Sequence, residues 1–230
     1  MASLGAPLAQ AEQLTLLTEE YPPFNMSDAK GKLVGISTDI VRALMRHAHV
    51  DYAIALSPWM RAMANAQTRA GYCAFSMSRL PERENQYSWV GPIAFNDWVL
   101  FGRSGARHPA SLAELKGAHI GSYLGDGGVA FLQRRGFSVD IAPNDELNPK
   151  KLQMGRIDYW AAGRLSGQFR LKEQKIDGYE PVLKLDRSDM YLACHPRTPA
   201  ALVARLNQGL AELQRSGVIA GIYASYGYAP

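Results

Sequence analysis

Apolar positions follow two periods along this chain, one of strand type and one of helix type, and they alternate in order. Leu14 to Thr18 is a short apolar run of strand length. Glu19-Glu20-Tyr21-Pro22-Pro23-Phe24 closes it, and the paired prolines force an extended turn that holds its aromatic residue stiffly. After Gly35-Ile36-Ser37-Thr38, the residues Val41, Leu44, Met45 and Ala48 fall at helical spacing, which predicts an amphipathic helix behind a hydroxyl N-cap. Tyr52 to Leu56 alternates like a strand. Trp59, Ala62, Met63 and Ala66 then share a helical face, and Tyr72 to Phe75 returns to strand character. The order β-α-β-α-β predicts a sheet covered by helices.

A comparable pattern restarts after Trp98. Ser111 and Glu114 have the spacing of a capping box before a short helical turn, and His119 to Tyr123 reads as a strand. Gly125-Asp126-Gly127-Gly128 follows, then a helical run with Val129, Leu132 and Gln133. Glycines between a strand and a helix let backbone N–H groups point outward, an arrangement that favours an anion. Asn148-Pro149 predicts a further helix start by N-cap and N1 logic, and Asp158 to Ala162 a further strand. Thr198-Pro199 opens a helix carrying Leu202, Leu206, Leu210 and Leu213, stopped by Gly217. These half-similar units predict two α/β lobes.

Size and composition permit this. The chain has 230 residues, 47% of them hydrophobic, enough for one large domain or two medium ones. Its net charge of +4 is spread without a basic run, so no nucleic-acid footprint appears. No apolar stretch approaches the eighteen or so residues of a spanning helix. Residues 2 to 11 are rich in small side chains and end in Ala9-Gln10-Ala11, the pattern of a signal-peptidase site, so residues 1–11 read as a residual signal-peptide tail and the mature protein is expected to begin near Glu12. Cys73 and Cys194 each sit in an apolar strand-like run and read as buried free thiols, with a single bridge as the alternative in an oxidising compartment.

The most informative chemistry lies in Ser76-Met77-Ser78-Arg79-Leu80-Pro81-Glu82-Arg83-Glu84, after which Tyr87 to Pro92 leaves on another extended segment. A strand ends there and presents a hydroxyl, Ser78, and an arginine, Arg83. A guanidinium offers a planar fork that matches the two oxygens of a carboxylate. Tyr21 and Trp59 lie where strands of the first lobe end, and in open α/β sheets ligands sit beyond the carboxyl ends of strands. Glu19 and Glu20 adjoin the rigid aromatic turn. His47 and His49, two apart on a helix, face different sides and read as solvated or capping residues rather than a metal pair. The glycine-rich turn lacks the Gly-Lys-Ser/Thr ending of a P-loop and the full dinucleotide fingerprint, and no nucleophile elbow is present.

Together Thr-Glu-Glu-Tyr-Pro-Pro-Phe, Gly-Ile-Ser-Thr-Asp-Ile and Ser-Met-Ser-Arg-Leu-Pro-Glu-Arg-Glu with Gly-Pro-Ile resemble the periplasmic solute-binding proteins of family 3, which serve polar amino-acid ABC transporters. The resemblance runs over nearly the whole chain from Glu12. It implies an α/β, two-lobed periplasmic-binding-protein-like (Venus flytrap) fold, each lobe a mixed sheet flanked by helices and joined by two crossover strands. Residues 12–93 with 187–230 would form lobe 1, and residues 94–186 lobe 2. Position by position, Arg83 falls on the arginine that clamps a ligand carboxylate, Ser78 on the hydroxyl beside it, and Ser76 on a backbone-contact position. Tyr21 and Trp59 fall on the aromatic sandwich, Asp126 and Gly127 on the second-lobe turn whose amides complete the site, and Tyr123 on a further cleft position.

One departure stands out. Where typical amino-acid binders place an aspartate for the α-ammonium, this chain has Gly163, followed by Arg164. A buried ammonium without a partner is costly. Either Glu19 or Glu20 neutralises it from the first lobe, or the ligand is a carboxylate without an α-amino group, with Arg61 and Arg164 available to a second anionic group. The resemblance implies a monomer in the periplasm, a small carboxylate as ligand, a membrane permease as partner, no cofactor, no metal and no nucleic acid. Two rival readings share the fold: a cyclohexadienyl-dehydratase-like enzyme, with Glu19, Glu20 or Asp126 as general acid, and the sensor module of a signalling system.

Overall fold

The structure, a computed structural model, describes residues 13–228; the leader expected over residues 1–11 lies outside them. Its elements in chain order are β1 (Leu14–Thr18), β2 (Met26–Ser27), β3 (Leu33–Val34), α1 (Ile36–His47), β4 (Tyr52–Leu56), α2 (Trp59–Thr68), β5 (Tyr72–Ser78) and β6 (Ser88–Arg103). Then come β7 (Ile120–Tyr123), α3 (Gly127–Gln133), β8 (Val139–Ala142), α4 (Asn148–Gln153), β9 (Tyr159–Gly163), α5 (Arg164–Glu173), β10 (Tyr179–Cys194), α6 (Ala200–Arg215) and α7 (Val218–Ser225). A 3-10 turn over Pro81–Gln86 joins β5 to β6.

Eight strands form one sheet in the order β4-β1-β5-β10-β6-β9-β7-β8. At one end β1 runs parallel to β4 and β5; at the other β7 runs parallel to β8 and β9. Between these groups β6 and β10, sixteen residues each, pair antiparallel along their whole length. Their register slips between Lys184 and Asp186 and between Met190 and Leu192. Such irregularities bend and twist a ladder.

Each half carries apolar clusters on both faces, as parallel strands favour, while residues of the edge strands β4 and β8 remain exposed. Side chains alternate across a strand, so Leu14 and Leu16 enter the core under α1, α6 and α7, while Leu17 enters the core under α2. In the other half Leu100 packs with Ile120 and Phe131 on one face, and its neighbour Phe101 packs with Trp160 and Leu171 on the opposite face. Among the described residues no helix is long and apolar enough to cross a membrane.

Several local expectations are corrected. Cys73 and Cys194 are not free thiols: they form a disulfide. They sit directly opposite each other on the adjacent strands β5 and β10, with Cα atoms 3.9 Å apart. The N-cap of α1 is Gly35 rather than a hydroxyl residue, while Ser37 and Thr38 lie buried in the first turn with hydroxyls that find no partner. Gly35 is at φ 125°, and a Cβ there would strike the carbonyl of Phe24, so only glycine fits. The capping box at Ser111 does not form; Glu114 pairs with Arg107 instead. Asn148 opens α4 from inside its first turn, its side chain donating to Asp145 Oδ1. His47 meets Glu212 at 2.7 Å, and His49 stands exposed.

Candidate functional site

A cleft lies at the carboxyl ends of β1, β5 and β7, where residues from these ends line an inner cavity together with Trp98 of β6 and Ser188 of β10. From β5 come Ser76 and Ser78. Ser76 sits at φ 63°, outside the ladder at a bulge where Met77 pairs with Tyr191 and Phe75 with Leu192. A non-glycine residue in this region costs energy that the surroundings must hold. Here the Ser76 hydroxyl donates to Asn25 Oδ1 at 2.5 Å. Ser78 shares a hydrogen bond of 2.7 Å with Ser188 on β10.

Arg83 lies on the 3-10 turn after β5 and points inward, only 8% exposed. It donates to the carbonyls of Gly125 at 2.8 Å and Ser78 at 3.3 Å. Among the described residues no carboxylate lies within ion-pair distance of it. Burial pushes its guanidinium down from the ordinary value, opposed chiefly by the field of Asp126. The positive charge is thus kept indoors without a full counter-charge, a costly condition that an incoming anion relieves.

Tyr21, Trp59, Tyr123, Asp126 and Gly127 border the same cavity as Ser76, Ser78 and Arg83. Gly125, at φ 82°, turns its carbonyl to accept from Trp59 Nε1 at 3.1 Å as well as from Arg83. Tyr123 donates to Glu19 Oε1 at 2.8 Å. These bonds join one side of the cleft to the other and leave an inner cavity of only about 20 Å³, room for about one water.

Glu20 is the exception among the anticipated residues. It is exposed, and its carboxylate accepts from the Ser27 N–H at 3.0 Å; Glu19 enters the inner cavity in its place. Tyr21 lines that cavity too, and residues two apart in an extended segment share a side, so the placement of Tyr21 was the available signal for Glu19. Burial, reinforced by Asp126 and Asp145, pushes the Glu19 carboxyl up to about 8, against the hydrogen bond from Tyr123. Burial and then Asp145 push Asp126 up to about 7, although its Oδ1 accepts from the Gly128 N–H at 2.7 Å.

Trp98, Ser188 and Asn96 were not anticipated. The Trp98 ring packs so closely on Gly127 that a Cβ there would lie 2.5 Å from it. Asn96 donates to the Tyr21 hydroxyl at 3.2 Å and accepts from the Leu165 N–H at 3.2 Å. Both groups occupy the space beside Gly163, where any Cβ would fall inside contact distance of Asn96 Nδ2 and of the Tyr21 oxygen. The missing aspartate therefore coincides with a filled space. Arg61 and Arg164 line neither the inner cavity nor the outer chamber of about 600 Å³ that shares Glu19 and Trp59 with it; Arg164 faces Asp97 at 4.0 Å. No grouping of metal-ligating side chains occurs among the described residues.

A family model described as bacterial extracellular solute-binding proteins, family 3, matches residues 14–229. The chain is 26% identical over 162 residues to the putative ABC transporter arginine-binding protein 2 of Escherichia coli (strain K12), a match over 69% of this chain and 66% of that protein, just under two thirds of its length. Among solved structures it is similar to a histidine kinase sensor domain with similarity to periplasmic binding proteins (TM-score 0.87, 20% identity, 95% of this chain and 98% of that one). It also resembles an ancestral arginine-binding protein bound to arginine (TM-score 0.82, 22% identity, 93% and 97%). A third likeness is to the arginine-, lysine-, histidine-binding protein of Geobacillus stearothermophilus (TM-score 0.83, 20% identity, 95% and 96%). At these identities the structural likenesses speak to the fold, a type II periplasmic-binding-protein fold.

Proposed function

The chain belongs to the bacterial extracellular solute-binding proteins of family 3, and on that premise we propose that it captures a small polar carboxylate, an amino acid or a related organic acid, between two lobes. The family is one of binding proteins, so the dehydratase reading falls away. Lobe 1 is taken as residues 12–93 with 187–230 and lobe 2 as 94–186, with β6 and β10 as the crossovers. The observation that carries the proposal is the guanidinium of Arg83, 8% exposed and lining the inner cavity, with no carboxylate within ion-pair distance among the described residues.

In this reading the open protein receives the carboxylate on Arg83 and Ser78 between the rings of Tyr21 and Trp59. Lobe 2 then closes, and its backbone near Gly127 completes the site. Closure removes water, which strengthens each charge-assisted bond. The solute shifts the balance of open and closed forms only by its preference for the closed one. The closed protein delivers its cargo from the periplasm to the permease of an ABC importer, and acts as a monomer. The arginine-binding relative in Escherichia coli supports an amino acid as cargo.

A thermal-shift screen over amino acids and organic acids tests the proposal, because a ligand bound only by the native state raises the melting temperature. Each hit is repeated as its carboxamide. The free acid raises the midpoint and the amide does not. Equal shifts for acid and amide would overturn the assignment of Arg83 as the anchor.

A further inference from the structure

Asn25 does not line the inner cavity, yet its polar groups are spent on residues that do. It is fully buried, 0% exposed. Its backbone N–H donates to the Tyr21 carbonyl at 3.0 Å, and its carbonyl accepts from the Tyr21 N–H at 2.7 Å. In the side chain Nδ2 donates to the Glu19 carbonyl at 2.7 Å, and Oδ1 accepts from the Ser76 hydroxyl at 2.5 Å. Glu19, Tyr21 and Ser76 all border the cavity. One side chain thus ties the turn after β1 to the bulge on β5.

The bulge is where that tie matters. Ser76 is left-handed, at φ 63°, in the midst of a strand, a conformation that costs a non-glycine residue energy. The ladder is fixed on either side of it. Before it, Cys73 is joined to Cys194 and Thr18 donates to the Phe75 carbonyl at 3.1 Å; after it, Ser78 is bonded to Ser188. Ser76 itself lies outside the pairing of β5 with β10, and its side chain's one hydrogen bond among the described residues is that to Asn25. Were Ser76 to relax to extended backbone and rejoin the ladder, the slip of one residue would turn Met77 toward the cavity and Ser78 away from it.

We propose that Asn25 is a positioning residue of the solute site: from behind the cavity wall it holds Ser76 in the left-handed conformation, and so keeps Ser78 in the register that receives a carboxylate beside Arg83. The inference rests on the reading of Arg83 as the carboxylate anchor and adds what fixes the strand next to it. Asn25 does not touch the solute. Its effect comes through the fraction of molecules in which the bulge is formed, since apparent affinity falls in proportion to the competent fraction. The ordinary cost of the left-handed conformation leaves about one molecule in five to thirty competent once the bond is gone. Glycine adopts that conformation about as readily as any other, so at position 76 it needs no hold.

Titration calorimetry at pH 7 with the twenty L-amino acids, pyruvate and succinate, each added singly, selects as probe the one that the parent protein binds most tightly. Ser76→Ala and Ser76→Gly both delete the hydroxyl that reaches Asn25, and only the first retains the strain. Ser76→Ala should bind the probe roughly five- to thirtyfold more weakly than the parent, and Ser76→Gly within about twofold of it. Asn25→Ala should lose as much as Ser76→Ala, and adding Ser76→Gly to it should restore most of the loss, which a merely structural role for Asn25 would not allow. The two serine variants keep the test open if Asn25→Ala does not fold. Equal losses in Ser76→Ala and Ser76→Gly would assign the hydroxyl to the solute itself and overturn the proposal, as would parental affinity in Ser76→Ala. Either result leaves Arg83 as the anchor. Binding of none of these compounds by the parent would overturn the Arg83 reading, and this inference with it.

Discussion

Glu19 makes the stability of this protein depend on pH with a sign opposite to that of most carboxylates. Burial in the folded protein is the largest cause holding its carboxyl at about 8, against an ordinary value of 4.5 in the unfolded chain. Between those values the folded protein binds more protons than the unfolded one, so stability falls as pH rises through the window. The contribution is intact below 4.5 and lost above about 8. At about 1.36 kcal/mol per pKa unit, that interval corresponds to at most about 5 kcal/mol. Glu19 is only half-buried and borders the outer chamber, so water screens part of the effect and roughly 2 to 3 kcal/mol is expected. Asp126, held at about 7, acts in the same direction up to that pH. Glu19→Gln isolates the group, since the amide imitates the protonated carboxyl and its oxygen still accepts from Tyr123. Urea unfolding of both proteins at pH 5 and pH 8.5 is the assay. The variant should gain roughly 2 to 3 kcal/mol on the parent between the two conditions, with an unchanged denaturant slope. A gap that stays constant with pH, or narrows in the alkaline direction, would refute the reasoning.

Other perturbations probe the frame and the cleft. Replacing both Cys73 and Cys194 by alanine removes a cross-link between residues 121 apart in sequence and should cost about 2 to 5 kcal/mol, read by calorimetry as a melting temperature lower by on the order of 10 °C; reductant should reproduce this in the parent protein. Gly163→Ala drives a methyl group into Asn96 and Tyr21 and should destabilise by roughly 1 to 3 kcal/mol, which urea unfolding measures. Trp59→Phe keeps the ring but deletes the bond from Nε1 to the Gly125 carbonyl. Losing a net 0.5 to 1.5 kcal/mol or so, it should bind its solute about two- to twelvefold more weakly in titration calorimetry.

Much of the frame is legible in the sequence because its elements bury one face each. The spacing of Val41, Leu44 and Met45 marks α1, and Leu202, Leu206, Leu210 and Leu213 mark α6, since these side chains form a shared core. Helix α5 is harder to see: Arg164, Arg170, Lys172 and Glu173 crowd ten residues and obscure its apolar face. The sixteen-residue course of β6 is hidden by Gly91 and Pro92, which read as a break. Strand pairing is a long-range property, so the disulfide between β5 and β10 could not be read from either cysteine's surroundings. In the cleft, Arg83, Ser78 and Gly127 stand out because a loop after a strand needs a reason to carry them. Asn96 and Trp98 do not, because each sits inside a strand whose inward face is fixed only once β6 pairs with β10 and β9. The crowding around Gly163 is likewise a meeting of three distant segments, visible only when they are folded together.

The central claim is that one inward-facing guanidinium holds the solute. Titration calorimetry of the carboxylate that gives the largest thermal shift, against the parent protein and Arg83→Ala, tests it most directly. Truncation removes the charged donors and leaves the bound carboxylate unpaired in the closed cleft, which should cost about 2 to 5 kcal/mol, a loss of roughly thirty- to several-thousandfold in affinity. Equal affinities, in a variant whose unfolding curve shows it to be folded, would contradict the account.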